Sequence, residues 1–255
     1  MRILVTNDDG IHAPGLKVLE AIARLISDDV WIVAPETDQS GVSRCISLHN
    51  PLRRRIVEVQ RFAVNGTPAD CVIMGVQALL PGAPDLILSG VNCGQNVADD
   101  VTYSGTIAAA MEGSMLGIRS IALSQAYNFK AGTPVPWSTA QSMGAQVIER
   151  ALEVPNEKGS LLNINFPNCS ELEVKGVRIT RQGVRDRQIN ALKNRTDHRG
   201  EPYYWLASER SHESRESGTD LAAMRDGFIS ITPLHLNLTD ERPFAMLSEH
   251  FTQLE

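Results

Sequence analysis

No two cysteines in this chain stand close enough in sequence to act together. Cys45, Cys71, Cys93 and Cys169 form no CxxC pair, which excludes the zinc-site and thioredoxin signatures. They are expected as buried free thiols in a reducing compartment. Long hydrophobic runs are lacking too. Met1-Arg2 is followed only by Ile3-Leu4-Val5, too brief for a signal-peptide core, and no stretch approaches a membrane span. Nor is there a basic excess. The 24 Lys and Arg residues face 30 Asp and Glu, a formal net charge of −6, whereas a nucleic-acid surface needs a dense basic footprint. These absences predict a cytoplasmic protein with no membrane and no nucleic-acid partner. Internal repeats, low-complexity tracts and clean linkers are also missing, so the 255 residues are expected to form a single domain with a sizeable core.

What the chain does have is a regular alternation of element types. Residues 2–6 read as a buried strand ending in Asn-Asp-Asp-Gly, 15–25 as a helix by the spacing of Leu16, Leu19, Ile22, Ala23 and Leu25, and 30–34 as a second strand. This β-loop-α-β opening starts a parallel sheet with a right-handed crossover. Residues 46–48, 56–59 and 62–64 read as strands of an antiparallel excursion. Helical spacing returns at 70–80, 105–116 and 138–152, alternating with strands at 85–89, 120–124 and 161–166. The fold class expected is therefore α/β: a Rossmann-like, doubly wound, mostly parallel sheet with an antiparallel excursion. Its core spans about residues 1–167. Beyond it, about 168–255, the rhythm changes, and a polar, Arg-rich stretch at 182–200 is expected to project as an extended arm. Such arms pack on other subunits, so an oligomer is expected.

In open α/β sheets ligands bind beyond the C-terminal strand ends, and three loops at that edge are unusually polar. The first is Asn7-Asp8-Asp9-Gly10. Two carboxylates brought toward one point repel unless a cation lies between them, and hard divalent ions prefer such oxygen ligands. Taken alone, the motif reads equally as a turn whose Asp caps the next helix. The second loop, Pro35 to Ser43, offers hydroxyls. The third leaves a strand through Ser89-Gly90-Val91-Asn92-Cys93-Gly94-Gln95-Asn96 and reaches Ser104-Gly105-Thr106 at the start of an alanine-rich helix, where free N–H groups make an anion site. No lysine follows as in a phosphate-binding P-loop, and no G-x-G-x-x-G is present. A paired-carboxylate metal site opposite an oxyanion-holding helix terminus is the arrangement that metal-assisted phosphate hydrolysis requires.

The residues also match a known family. Ile3 to Gly15, Gln39-Ser40-Gly41-Val42-Ser43, Gly66-Thr67-Pro68-Ala69-Asp70, Ser89-Gly90-Val91-Asn92, and Asp99-Asp100-Val101 through Tyr103-Ser104-Gly105-Thr106 together resemble the stationary-phase survival protein E (SurE) family of 5′/3′-nucleotidases. The match runs in order over nearly the whole chain. The resemblance implies one divalent cation per subunit, Mg2+ or Mn2+, held by Asp8, Asp9, Ser40 and Asn92. It implies phosphate binding by Asn96, Ser104, Gly105 and Thr106, with Asp8 and Asp9 as the catalytic carboxylates. The substrate implied is a nucleoside 5′- or 3′-monophosphate, with short polyphosphate as a further one. The assembly implied is a homodimer or homotetramer built through the C-terminal arm. A non-catalytic nucleotide or metal sensor is the alternative.

Overall fold

The computed structural model describes residues 1–128, 132–185, 187–211 and 216–252. Residues 186, 212–215 and 253–255 of the expected C-terminal arm lie outside the described residues. The chain opens with β1 (Arg2–Thr6), α1 (Pro14–Ile26) and β2 (Asp29–Pro35). Within β1, Ile3 and Val5 point to one face and Leu4 to the other, all fully buried, so a sheet covered on both sides was encoded in an unbroken apolar run. Pro14 opens α1 at a position where its missing N–H costs nothing. Leu16, Leu19, Ile22 and Ala23 form the helix's buried stripe, whereas Leu25, expected with them, is exposed.

There follow β3 (Arg54–Glu58), β4 (Arg61–Val64), α2 (Pro68–Met74), β5 (Leu86–Cys93), α3 (Gly105–Met115), β6 (Arg119–Gln125), α4 (Trp137–Leu152) and β7 (Ser160–Phe166). The chain then adds β8 (Val177–Ile179), β9 (Arg187–Thr196), β10 (Pro202–Ser211), α5 (Asp220–Arg225), β11 (Ile229–His235) and α6 (Glu241–Phe251). The main sheet has the order β3-β4-β2-β1-β5-β6-β7-β11-β8. It is parallel from β4 to β7, with β3 antiparallel at one edge and β11 antiparallel to β7 near the other. α1 and α4 cover one face, and α2 and α3 the other. β1 is flanked by β2 and β5, so successive crossovers leave it in opposite directions. That makes the crevice above β1 and β5 the switch point where such sheets bind ligands.

Four details differ from the sequence reading. Of the four cysteines expected to be buried, only Cys71 is, while Cys45 and Cys93 are exposed. Residues 46–48 form no strand: Ser47 donates its N–H and hydroxyl to the Asp70 carboxylate at 3.0 and 2.7 Å, and Thr67 Oγ1 donates to the Cys45 carbonyl. Side chains, rather than a ladder, tie this segment to the start of α2. The excursion is only partly antiparallel, because β4 pairs parallel with β2. The 70–80 helix is α2 followed by a wider turn at Gly75–Leu79.

Beyond residue 167 the chain returns to the main sheet with β8 and β11, and α5 packs against β11. The polar stretch at 182–200 contains β9, which pairs antiparallel with β10 as a hairpin outside the main sheet. Leu192, Trp205 and Leu206 on that hairpin are exposed, as are Phe244, Leu247 and Phe251 on one face of α6.

Candidate active site

Asp8 and Asp9 follow directly on β1. Gly10, at φ +101°, makes the turn, and the following residue is pinned by Ile11 N–H donating to the Pro35 carbonyl at 2.8 Å. Asp8 is almost fully buried, with 4% of its surface exposed, and Asp9 is half-buried. Thr106 Oγ1 donates to Asp8 Oδ1 at 2.5 Å, which joins the end of β1 to the first turn of α3. Cys93 N–H donates to Asp9 Oδ2 at 3.2 Å, joining the second carboxylate to the end of β5. Gly105 allows the first junction: a Cβ there would lie 2.8 Å from Asp8 Cβ and 3.1 Å from Pro68.

α3 begins with Ser104 as its cap, whose Oγ accepts the Ile107 N–H at 3.1 Å. The N–H groups of Gly105 and Thr106 have no intrahelical acceptor and no other backbone partner among the described residues. They stand at the positive end of the helix dipole beside Asp8. Asn92 donates its amide N–H to the Gly94 carbonyl at 2.8 Å, which leaves Oδ1 free to coordinate. Ser40 lies in the β2 loop, which rests on the site through Gln39 N–H donating to the Asp8 carbonyl at 2.8 Å. The Ser40 hydroxyl itself is turned to Asp38 Oδ1 at 2.7 Å. Asn96 is turned into the sheet: its Nδ2 donates to Ser124 Oγ at 2.9 Å, its N–H to Asn165 Oδ1 at 2.8 Å, and its carbonyl accepts from Asn163 and Asn165. The structure thus brings Asp8, Asp9, Ser104, Gly105 and Thr106 into one contact group. Asn92 stands beside them, while the side chains of Ser40 and Asn96 are engaged elsewhere.

Burial raises the Asp8 carboxyl to about 6, with Asp9 and Asp38 adding to the rise and the Thr106 hydrogen bond opposing it. The Asp9 carboxyl is also raised, first by burial, against the Cys93 N–H, and then by Asp38. Among the described residues no Lys, Arg or His forms an ion pair with either. Nearby, Thr6 Oγ1, Asn7 Oδ1 and Ser89 Oγ are buried without a hydrogen-bond partner. Unpaired buried carboxylates beside orphaned oxygens are costly unless something supplies positive charge. The donor set fits a hard divalent cation: two carboxylates, an amide oxygen and a hydroxyl within reach. No three His, Cys, Asp or Glu side chains among the described residues could hold a metal, so a cation here depends on that mixed set.

Several supporting residues escaped the sequence reading of the site. Asp38 acts through charge from a loop that looked merely hydrophilic. Asn163, Asn165 and Ser124 hold Asn96 from distant strands. Asp220, fully buried, accepts the N–H groups of Ala98, Gly183 and Leu221 at 2.8, 2.9 and 2.7 Å. Arg185 pairs with Asp100 at 2.6 Å and donates its N–H to Asp99. Together they clamp the turn that leads into Ser104. The only local hint was the Thr-Asp pair at 219–220, since each partner lies far away in sequence. His12 is exposed and takes no part in these contacts.

The Survival protein SurE family model matches residues 3–189. A relative named 5′-nucleotidase SurE, from Methylobacterium nodulans, is 58% identical over 252 residues, covering 98% of this chain and all of the relative. A protein of the same name from Brucella canis is 56% identical over 248 residues, covering 97% of each. Among solved structures, the SurE protein from Aquifex aeolicus superposes with a TM-score of 0.83 at 36% identity over the whole of both chains. With the acidic pair, the capped helix terminus and the sheet order all in place, this chain belongs to the SurE survival-protein family.

Proposed function

We propose that this chain is a metal-dependent 5′-nucleotidase that hydrolyses nucleoside monophosphates to nucleoside and phosphate in the crevice between Asp8-Asp9 and the first turn of α3. The observation that carries this reading is the contact between the two elements. An uncompensated acidic pair, suited to a cation, touches a helix terminus with free N–H groups, suited to an oxyanion. The full-length relatives named 5′-nucleotidase support the substrate class. The non-catalytic sensor gains no support from relatives whose names are those of enzymes.

Asp8, Asp9, Asn92 and Ser40 are the residues that would hold one Mg2+ or Mn2+, Ser40 once its hydroxyl leaves Asp38. When bound there, the ion would supply Lewis-acid polarisation of the phosphoryl group and a lowered pKa for water. Gly105 and Thr106 donate backbone N–H groups to the phosphate oxygens as charge builds on them. Ser104 accepts from Ile107 through its oxygen and so retains its own proton to donate. Asn96 shapes the same loop and donates to the phosphate once its amide leaves Ser124. Asp9, the more open carboxylate, orients the attacking water and receives its proton, while Asp8 is held by Thr106. The exposed apolar faces of the hairpin and of α6 support a homodimer or homotetramer assembled through the arm. No helix among the described residues is long and apolar enough to cross a membrane, and we place the protein in the cytoplasm.

The test is phosphate release from 5′- and 3′-nucleoside monophosphates and short polyphosphate, with Mg2+, with Mn2+ and with chelator. Metal-dependent release from the 5′-monophosphates that disappears in Asp9→Ala is expected. No release with any metal from folded protein would defeat the assignment.

A further inference from the structure

Cys93, Gln125 and Phe166 are neighbours in register at the C-terminal ends of β5, β6 and β7. The next residues along each strand therefore share one rim: Gly94 and Gln95 after β5, Tyr127 after β6, Asn168 after β7. Gln95, Tyr127 and Asn168 line a cavity of about 390 Å3 whose floor is Leu221 and Met224 of α5, with Cys169 on its wall. That volume falls in the usual range for small-ligand sites. The cavity is tied to the acidic site through Tyr127 and Cys93. Asp9 accepts the Cys93 N–H, Tyr127 hydrogen-bonds the Cys93 thiol, and the Tyr127 ring edge lies 3.8 Å from where a Cβ on Gly94 would stand. β6 is two strand spacings from β1, about 10 Å, which is the scale separating phosphorus from base in a nucleotide.

We propose that this cavity is the nucleoside subsite of the active site, with Tyr127 as the surface on which the base stacks. The inference rests on the phosphatase reading above and adds the part of the substrate it grips. A half-buried tyrosine presents a flat apolar ring at low entropic cost, and aromatic–base stacking tolerates every base. Gln95 and Asn168 carry amides, each of which both donates and accepts, so they match purine and pyrimidine edges alike. Leu221 and Met224, almost fully buried, give the far end an apolar floor. The larger cavity of about 600 Å3 is unsuited to this role. It opens beside Arg119 and Ser160, the first residues of β6 and β7, at the end of the sheet opposite the acidic pair.

The experiment measures kcat/KM for AMP and for glycerol 2-phosphate, a phosphomonoester without a base, and follows their ratio. Tyr127→Ala is expected to lower the AMP-to-glycerol-phosphate ratio by about 5- to 100-fold, the range of one base stack. Tyr127→Phe, which keeps the ring, should retain the wild-type ratio. Asn168→Trp, at an exposed rim position, blocks the cavity without touching the core and should lower the same ratio if Tyr127→Ala does not fold. A ratio that stays at the wild-type value in the folded variants would overturn the subsite while leaving the phosphatase assignment intact. Adenosine binding by calorimetry reads the subsite without turnover. Affinity lost in Tyr127→Ala supports it even if the wild type hydrolyses neither ester, which would defeat the phosphatase reading alone. Equal affinity in wild type and variant, or no binding to either, overturns the subsite.

Discussion

Burial and two neighbouring carboxylates govern Asp8 when no cation is present. Its folded-state carboxyl lies at about 6, above the ordinary 3.8. A raised acid favours the folded state only while protonated, so its contribution is fully present below about 3.8 and is lost as pH rises through about 6. At pH 8 the ionised group then costs the cation-free protein about 3 kcal/mol. Melting curves in chelator should show Asp8→Asn more stable than wild type at pH 8, with the difference vanishing near pH 4. The same substitution should abolish phosphate release. Added Mg2+ should raise the melting temperature of the wild type and not of the variant, since only the intact pair binds the ion. Equal pH profiles for the two proteins would refute this account. Gly105 makes a second residue-scale prediction. A Cβ 2.8 Å from Asp8 Cβ forces either α3 or the acidic turn to move, at a cost of about 1–3 kcal/mol. Gly105→Ala should therefore lower the urea midpoint and reduce kcat/KM at least tenfold. Wild-type kinetics in that variant would show that the two elements need not touch.

At the scale of elements, the start of α3 depends on parts of the chain that lie far from it in sequence. The turn at Ala98–Thr102 precedes Ser104, and Ala98 holds a positive φ of 52°. Asp220, at the start of α5, accepts its N–H while also satisfying Gly183 and Leu221. Asp220→Ala leaves three buried donors without an acceptor, a loss on the order of 3 kcal/mol or more. We expect a lower melting temperature together with a raised KM for phosphate esters. Asp226, six residues further on and exposed, pairs with Arg178 and Arg225. Asp226→Ala should leave the melting temperature nearly unchanged, as removal of a solvent-screened surface ion pair does, and leave kinetics unchanged. Comparable losses at both positions, measured by thermal melts and steady-state rates, would remove the special standing of Asp220.

For the whole molecule, the hairpin and α6 leave large apolar side chains exposed. Leu192, Trp205 and Leu206 on the one, and Phe244, Leu247 and Phe251 on the other, are each more than half exposed. Patches of this kind mark surfaces that another molecule covers. Light scattering is expected to report a multiple of 27.9 kDa, and the double substitution Trp205→Glu with Leu206→Glu should reduce it to a smaller species. A wild-type mass of one chain would end the oligomer reading.

Much of the sheet was legible because its signals are local. Val5 and Ile3 alternate with Leu4, α1 carries a 3.6-residue stripe, and helix starts such as Thr67-Pro68 and Ser104-Gly105 announce themselves by their caps. Asp8, Asp9 and Gly105-Thr106 were also readable, since their chemistry depends on residue type beside a strand end or a helix start. The amino-acid sequence by itself therefore determined which polar groups gather at one edge of an α/β sheet. Only the tertiary structure decided what holds them. It pairs β4 parallel to β2, returns β8 and β11 to the sheet, and turns Ser40 toward Asp38. It also places Asn163, Asn165, Asp220 and Arg185 under the catalytic loops, and Tyr127 beside Cys93. Those choices are made by contacts between residues tens of positions apart, where side-chain reach and unsatisfied backbone groups decide the outcome and local periodicity carries no information.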